Sequence, residues 1–495
     1  MRRRHFALTL LLSAAALAGC AAPPAGMLAS APAAQAVARA DTPRAAQALR
    51  GLLAAINSGD SARIARFAER TYDPGHLEGS GGTPRAVQRW MEVHTLYGPL
   101  EVDSIVDADS VRARAWLRGR VTRTWIDLLV FVDSAAPHLI TRVGMGRGVR
   151  PPFADARRPR VSRAALPAHL EGVMREMVDA GYFSGSVAVW KDGAPVFEGA
   201  YGMADREARE PNTVRTRFSL ASVGKVFTAV AALQLAQAGR LDLDAPVGRY
   251  VPSLPRQVGE RVTARQLLEH SSGLGELGAG LDSAMALTRT VPEMVRLLTD
   301  TTLAFPPGTS FTYSNRGYLV LGAVIEAASG SDYYQYVEDH VFRPAGMEDT
   351  GFFPHDSTVA RRAVPYTRYP GLRAGFTPGP ALPSPARMDW RGGPAGGVHS
   401  TVRDLARFGD ALLSGRLLSA ESLAMMTRGR PEHPWGYGVD LTGHPGSFGH
   451  RGAEPGARAY VWIYPTSRTV VAVLSNDDAG ATLAGEYLRD IVAQW

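Results

Sequence analysis

Phe218-Ser219-Leu220-Ala221-Ser222-Val223-Gly224-Lys225 leads into Val226-Phe227-Thr228-Ala229-Val230-Ala231-Ala232-Leu233-Gln234-Leu235-Ala236, and then into Gln237-Ala238-Gly239. The second run is apolar on nearly every side, the pattern of a helix buried in a core and ended by a glycine cap. Ser222 therefore opens a buried helix, and a spacing of three stacks Lys225 about one turn above it on the same face. The helix N-terminus also turns backbone N–H groups toward that spot, where they favour developing negative charge. Of the 54 basic residues in the chain only two are lysines, and Lys225 is one of them. Arginine supplies positive charge elsewhere, so a lysine here points to a role that a guanidinium cannot fill, the loss of a proton. Ser-x-x-Lys, with serine as nucleophile and lysine as its base, is such a role.

Two more segments carry chemistry. Tyr313-Ser314-Asn315 follows Phe305-Pro306-Pro307-Gly308, and Gly449-His450-Arg451-Gly452-Ala453-Glu454-Pro455-Gly456 lies near the C-terminus. An ammonium beside Tyr313 favours its phenolate, so the tyrosine can take the serine proton and later pass it to a leaving group. Around these motifs, Leu170, Val173, Met174, Met177 and Val178 stripe one helix face. Asp192-Gly193 turns a hairpin between Val187-Ala188-Val189 and Val196-Phe197. Ala459 to Tyr464 and Thr469 to Leu474 read as strands, and Leu483, Tyr487, Leu488 and Ile491 mark a last helix. Residues 161–495 thus form an α+β domain, with terminal helices on an antiparallel sheet and a mainly helical insert between.

That plan, with its motifs, resembles the serine β-lactamase and penicillin-binding superfamily, particularly the class C β-lactamase-related branch with its carboxylesterases and D-amino-acid peptidases. Leu267-Leu268-Glu269-His270-Ser271-Ser272-Gly273-Leu274 is similar to the family's segment leading into the insert. The resemblance implies Ser222 as nucleophile, with Lys225 and Tyr313 as alternative bases. Asn315 offers its amide to a substrate carbonyl and fixes Lys225. His450-Arg451-Gly452 stands where the lactamases have Lys-Thr-Gly, a His-x-Gly version typical of the esterase and peptidase branch. His450 donates a hydrogen bond or assists proton transfer. Gly452 lets the backbone approach the acyl group, and the N–H of Ala453 completes an oxyanion hole with that of Ser222. Arg451 replaces the missing lysine charge or points to solvent. The expected reaction is hydrolysis of a small-molecule ester, small amide or D-peptide through a Ser222 acyl-enzyme, with no metal or organic cofactor. A true β-lactamase, and a lipoprotein that binds penicillin or peptidoglycan fragments as a sensor, are the alternatives.

Other classes find less support. Gly-x-Ser-x-Gly of the α/β-hydrolases is absent, and the twelve histidines form no His-Glu-x-x-His. The start, Met1-Arg2-Arg3-Arg4-His5, then apolar Phe6 to Leu17 and Leu17-Ala18-Gly19-Cys20, has the parts of a secretory signal. Leu-Ala-Gly-Cys resembles the bacterial lipobox, which makes Cys20, the sole cysteine, a lipidation site after a 1–19 leader. The expected place is the extracytoplasmic side of a bacterial envelope. Without the three leader arginines the formal charge of +7 falls to +4, and no basic run reads as a nucleic-acid patch.

Residues 20–41 are an Ala/Pro-rich tether. Residues 42–150 read as a small α+β domain. Thr42-Pro43 starts a helix with Leu49, Leu52, Leu53 and Ile56 on one face, and a second helix covers 61–70. Alternation follows from Val102 to Val143. Helices first and then a curled sheet, with Asn57-Ser58-Gly59-Asp60 between the helices, is similar to the NTF2-like cone fold, expected here as a spacer or pairing domain. The Pro/Arg stretch 151–160 is the linker. The Pro/Gly-rich stretch from Phe353 to Gly397 is expected to border the cleft.

Overall fold

The structure, a computed structural model, describes residues 43–147, 161–276, 284–285, 287–298, 302–354, 356–368, 381–384, 391–430 and 433–493. The expected leader, Cys20, the tether, the linker and part of 353–397 lie outside these residues.

Helix α1 (Arg44–Asn57) buries Leu49, Leu52, Leu53 and Ile56. It starts one residue later than the sequence suggests, because Pro43 takes the extended cap position with ψ 137°. The Asp60 carboxylate accepts from the N–H groups of Ala62 and Arg63 and so caps α2 (Ser61–Thr71). After α3 (Pro74–Gly79), α4 (Gly82–Tyr97) turns Ala86, Trp90, Val93 and Tyr97 inward at helical spacing. Strands β1 (Leu100–Ala108), β2 (Arg112–Gly119), β3 (Trp125–Val132) and β4 (Ile140–Arg147) form an antiparallel sheet in that order. Two register shifts in β1 bend it, and Ala113, Ala115, Leu117, Ile126, Leu128 and Val130 face the helices. Arg123, on the β2–β3 turn, pairs with Glu176 at 2.6 Å and lies over the Tyr487 ring, joining this sheet to the rest of the chain.

Helix α5 (Leu166–Asp179) precedes a five-stranded antiparallel sheet ordered Phe448–Glu454, Ala457–Tyr464, Thr469–Ser475, β5 (Gly185–Lys191), β6 (Ala194–Tyr201). Asp192 and Gly193 both have positive φ, the geometry of a two-residue hairpin turn. Side chains alternate between two cores. Val187, Val189, Val471, Val473 and Trp462 pack with α5 and the C-terminal helix Gly480–Val492, while Ala188, Ala472, Leu474 and Val461 pack with the helical insert. With both faces covered, Thr469–Ser475 is buried throughout and is apolar at all five interior positions.

Helix α6 (Gly224–Gln237) runs through the second core. Phe227 meets Phe342 and Phe408 edge-on at 5.1 and 4.8 Å, and Gly239, at φ 69°, returns its N–H to Ala236. Among the described residues no helix is long and apolar enough to cross a membrane.

Candidate active site

Ser222 lies in a single 3₁₀ turn, Ala221–Val223, immediately before α6, and keeps partial access to solvent. Ala221 holds φ 42°, a left-handed conformation that a residue with a side chain adopts only under constraint. Backbone on two sides supplies that constraint. The carbonyl of Leu220 would meet a Cβ at position 452 at 2.1 Å, so Gly452 is what lets the edge strand Phe448–Glu454 close on the nucleophile turn. Besides the approach to the acyl group expected from sequence, the missing side chain of Gly452 thus serves a packing contact with Leu220. On the other side Gly396, at φ 145°, sits where a Cβ would meet the Ala221 carbonyl at 2.4 Å, and Gly397 N–H donates to that same carbonyl.

Lys225 has no exposed surface. Its Nζ is 3.2 Å from Ser222 Oγ and donates to Asn315 Oδ1 at 2.6 Å and to the Ala395 carbonyl. Burial brings its pKa down to about 7, against a smaller opposite pull from the Glu276 carboxylate. At neutral pH a large share of Lys225 is therefore a free amine. The Nδ2 of Asn315 donates to Glu276 Oε2 at 2.8 Å, which fixes the amide so that its oxygen faces the lysine.

Asn315 is the first residue of the helix Asn315–Ser329. Ser314 caps that helix, accepting from Gly317 N–H at 2.9 Å while its hydroxyl donates to the Gly275 carbonyl. Tyr313 precedes the cap, shares a hydrogen bond with Ser222, and lies under Lys225 Nζ, 4.9 Å from the ring centre. Burial raises its pKa, so it stays a phenol beside a lysine that titrates near neutrality. His270 grips the same segment. Its ring stacks on Tyr313 at 4.4 Å, its Nδ1 accepts from Ser314 N–H, and its carbonyl accepts from Thr312 N–H.

His450 is 2 % exposed, with its ring 6.4 Å from Tyr313 and 5.3 Å from Trp435, the second contact edge-on. Its Nδ1 is 2.6 Å from the Arg451 carbonyl, which can only accept, so Nδ1 carries the proton and Nε2 a lone pair. Burial, with the Lys225 charge second, lowers its pKa to about 3 and keeps the ring neutral. Arg451 does not join the site. Strand alternation turns its side chain to the opposite face, where it pairs with Asp440 at 3.1 Å and lies over Trp462. Neither the role of a substrate cation nor that of a free solvent-facing charge fits this placement. Ala453 stays at the exposed edge, next to Gly452.

Ser222, Lys225, Tyr313, Asn315, His450 and Gly452 thus converge. Glu276, His270 and Trp435 also reach the site, with no role there expected from sequence, and the Gly392–Gly397 cradle belongs to the 353–397 stretch expected to border the cleft. The signal available for the cradle was Gly392-Gly393-Pro394-Ala395-Gly396-Gly397, a composition suited to close backbone approach. Among the described residues no cluster of acids, histidines and cysteines has the arrangement of a metal site.

The description of the Beta-lactamase family matches residues 170–493. Penicillin-binding protein 4 of Amycolatopsis lactamdurans is 30% identical over 62% of this chain and 84% of its own length. Esterase EstB of Burkholderia gladioli is 37% identical over 41% of this chain and 55% of its own. The D-amino acid amidase of Ochrobactrum anthropi SV3, solved with L-phenylalanine, superposes with a TM-score of 0.54 at 26% identity, covering 66% of this chain and 98% of the amidase. With Ser222, a buried lysine and a tyrosine in one place on this fold, the chain belongs to the Beta-lactamase family and is a serine hydrolase.

Proposed function

We propose that the protein hydrolyses a small ester, small amide or D-peptide through an acyl-enzyme on Ser222. The observation that carries this is the buried Lys225, 3.2 Å from Ser222 Oγ with its pKa near 7. Neutral Nζ takes the Oγ proton as Oγ attacks the carbonyl, and the N–H groups of Ser222 and Ala453 receive the developing oxyanion. Tyr313, still a phenol, gives its proton to the leaving atom and recovers one from Lys225. Water, deprotonated by the same pair, then releases the acid and restores Ser222.

Lys225 takes the role of base because its pKa falls toward neutrality, whereas that of Tyr313 rises away from it. A protein that is acylated by penicillin and deacylates slowly is the second reading, favoured by the similarity to a relative named a penicillin-binding protein. Parallel assays of a short-chain aryl ester and a penicillin, on wild type and Ser222→Ala, separate the two. Fast Ser222-dependent ester turnover with little lasting penicillin adduct supports the hydrolase; a persistent adduct with negligible turnover supports the binder.

Leu17-Ala18-Gly19-Cys20 supports attachment to the envelope through a lipid on Cys20. Labelled palmitate incorporated by the full chain and not by Cys20→Ala would support the anchor. Equal labelling, or none in either, would remove it.

A further inference from the structure

Among the described residues, the wall beside Tyr313 holds three buried polar atoms without protein partners: the lone pair of His450 Nε2, the indole N–H of Trp435, and Nε2 of His270, whose Nδ1 accepts from Ser314 N–H and leaves Nε2 as a donor. The His450 and Trp435 rings stand perpendicular, and both contact Tyr313, at 6.4 and 5.7 Å. A buried donor or acceptor left unpaired is costly enough to call for a reason, and a bound group that satisfies it is one such reason. His450 Nε2 accepts, while Trp435 Nε1 and His270 Nε2 donate. A carboxamide or a hydroxyl, which does both, complements the set. A carboxylate, with acceptors only, would face the His450 lone pair.

The charges point the same way. Lys225 already directs Nζ to Ser222, Asn315 and the Ala395 carbonyl. Arg451 is turned through the sheet to Asp440. At the mouth, Glu276 is exposed and its negative charge is felt at both Lys225 and Tyr313. On the acyl-enzyme reading Tyr313 protonates the leaving atom, and because the Trp435 and His450 rings lie against Tyr313, groups carried by that atom fall on their side of the site.

We propose that His450 and Trp435 select substrates whose leaving group bears a neutral donor and acceptor, a carboxamide or hydroxyl, and that with Glu276 they reject leaving groups bearing a carboxylate. This selectivity rests on the acyl-enzyme reading above and narrows its substrate class.

The test uses two thioesters of N-benzoylglycine, one with mercaptoacetamide and one with mercaptoacetate as the leaving thiol, and p-nitrophenyl acetate as a neutral control. In wild type, kcat/KM for the amide thioester should exceed that for the acid by about tenfold or more, the worth of one buried hydrogen bond. In folded His450→Phe the ratio should collapse toward one. A wild-type ratio near one, or favouring the acid, in an enzyme that hydrolyses p-nitrophenyl acetate through Ser222 overturns the selectivity and leaves the hydrolase standing. So does a ratio unchanged in folded His450→Phe. If that variant does not fold, the wild-type ratio decides. Absence of Ser222-dependent p-nitrophenyl acetate hydrolysis overturns both readings together.

Discussion

Lys225 Nζ lies 3.2 Å from Ser222 Oγ, inside a core where the lysine has no exposed surface. Burial makes the ammonium unfavourable and the amine available, so the fold that hides this side chain suits it to the proposed role of base. The acid limb of kcat/KM should therefore report Lys225. Activity should rise about tenfold per pH unit below 7 and level off above it, because only the neutral amine accepts the proton. Lys225→Arg keeps a cation and should lower kcat/KM about 10²- to 10⁴-fold in a folded protein. A flat profile from pH 5 to 8, or near-normal activity in the arginine variant, would contradict this role.

Glu276 adjusts that base from outside. Its carboxylate favours the lysine ammonium and thus holds the Lys225 pKa above the value that burial alone would set. Glu276→Gln removes the charge, so the Lys225 pKa should fall and the acid limb should move to lower pH. Relative activity at pH 6 should rise. A limb that stays in place, or moves to higher pH, would show that Glu276 does not act on the lysine.

Gly452 holds the strand against the turn that carries Ser222. An added Cβ would meet the Leu220 carbonyl at 2.1 Å, and relief requires moving the strand or the turn that carries Ser222. Gly452→Ala should cost about 1–3 kcal/mol, read as a lower Tm, and should lower kcat as the turn shifts. Unchanged Tm and kcat together would mean that the strand and turn are not in this contact.

The core of the site was legible because its signals are local. Ser222 and Lys225 share one helical turn, and Tyr313 and Asn315 flank one capping serine. The hairpin at Asp192-Gly193 was readable for the same reason, its turn chemistry being complete in two residues. Glu276 and Trp435 reach the site through tertiary contacts with residues far away in sequence, and no local pattern marks them, whereas the Ala395 carbonyl belongs to a Gly-rich run that composition does mark. His450-Arg451-Gly452 was read as a linear motif, but strand alternation sends its middle residue to the other face. Helix α4 had a readable stripe in Ala86, Trp90, Val93 and Tyr97; it was missed because its start, Gly81-Gly82, looks like a loop.

Arg451 provides a direct check on that correction. Its guanidinium pairs with Asp440 behind the sheet, so Arg451→Ala should leave the ratio of kcat/KM for anionic and neutral esters within about twofold of wild type. The Tm should drop slightly, as expected for one partly exposed ion pair. A selective loss of anionic substrates would place the side chain in the cleft after all.

The most direct test of the account is an intact-mass spectrum of the protein from residue 43 onward, wild type and Ser222→Ala, after brief exposure to a fluorophosphonate. One added phosphonyl group on wild type and none on the folded variant is the predicted result, since Ser222 has the Lys225 amine at hydrogen-bonding distance. No adduct on folded wild type, or an equal adduct on both proteins, would contradict Ser222 as the nucleophile.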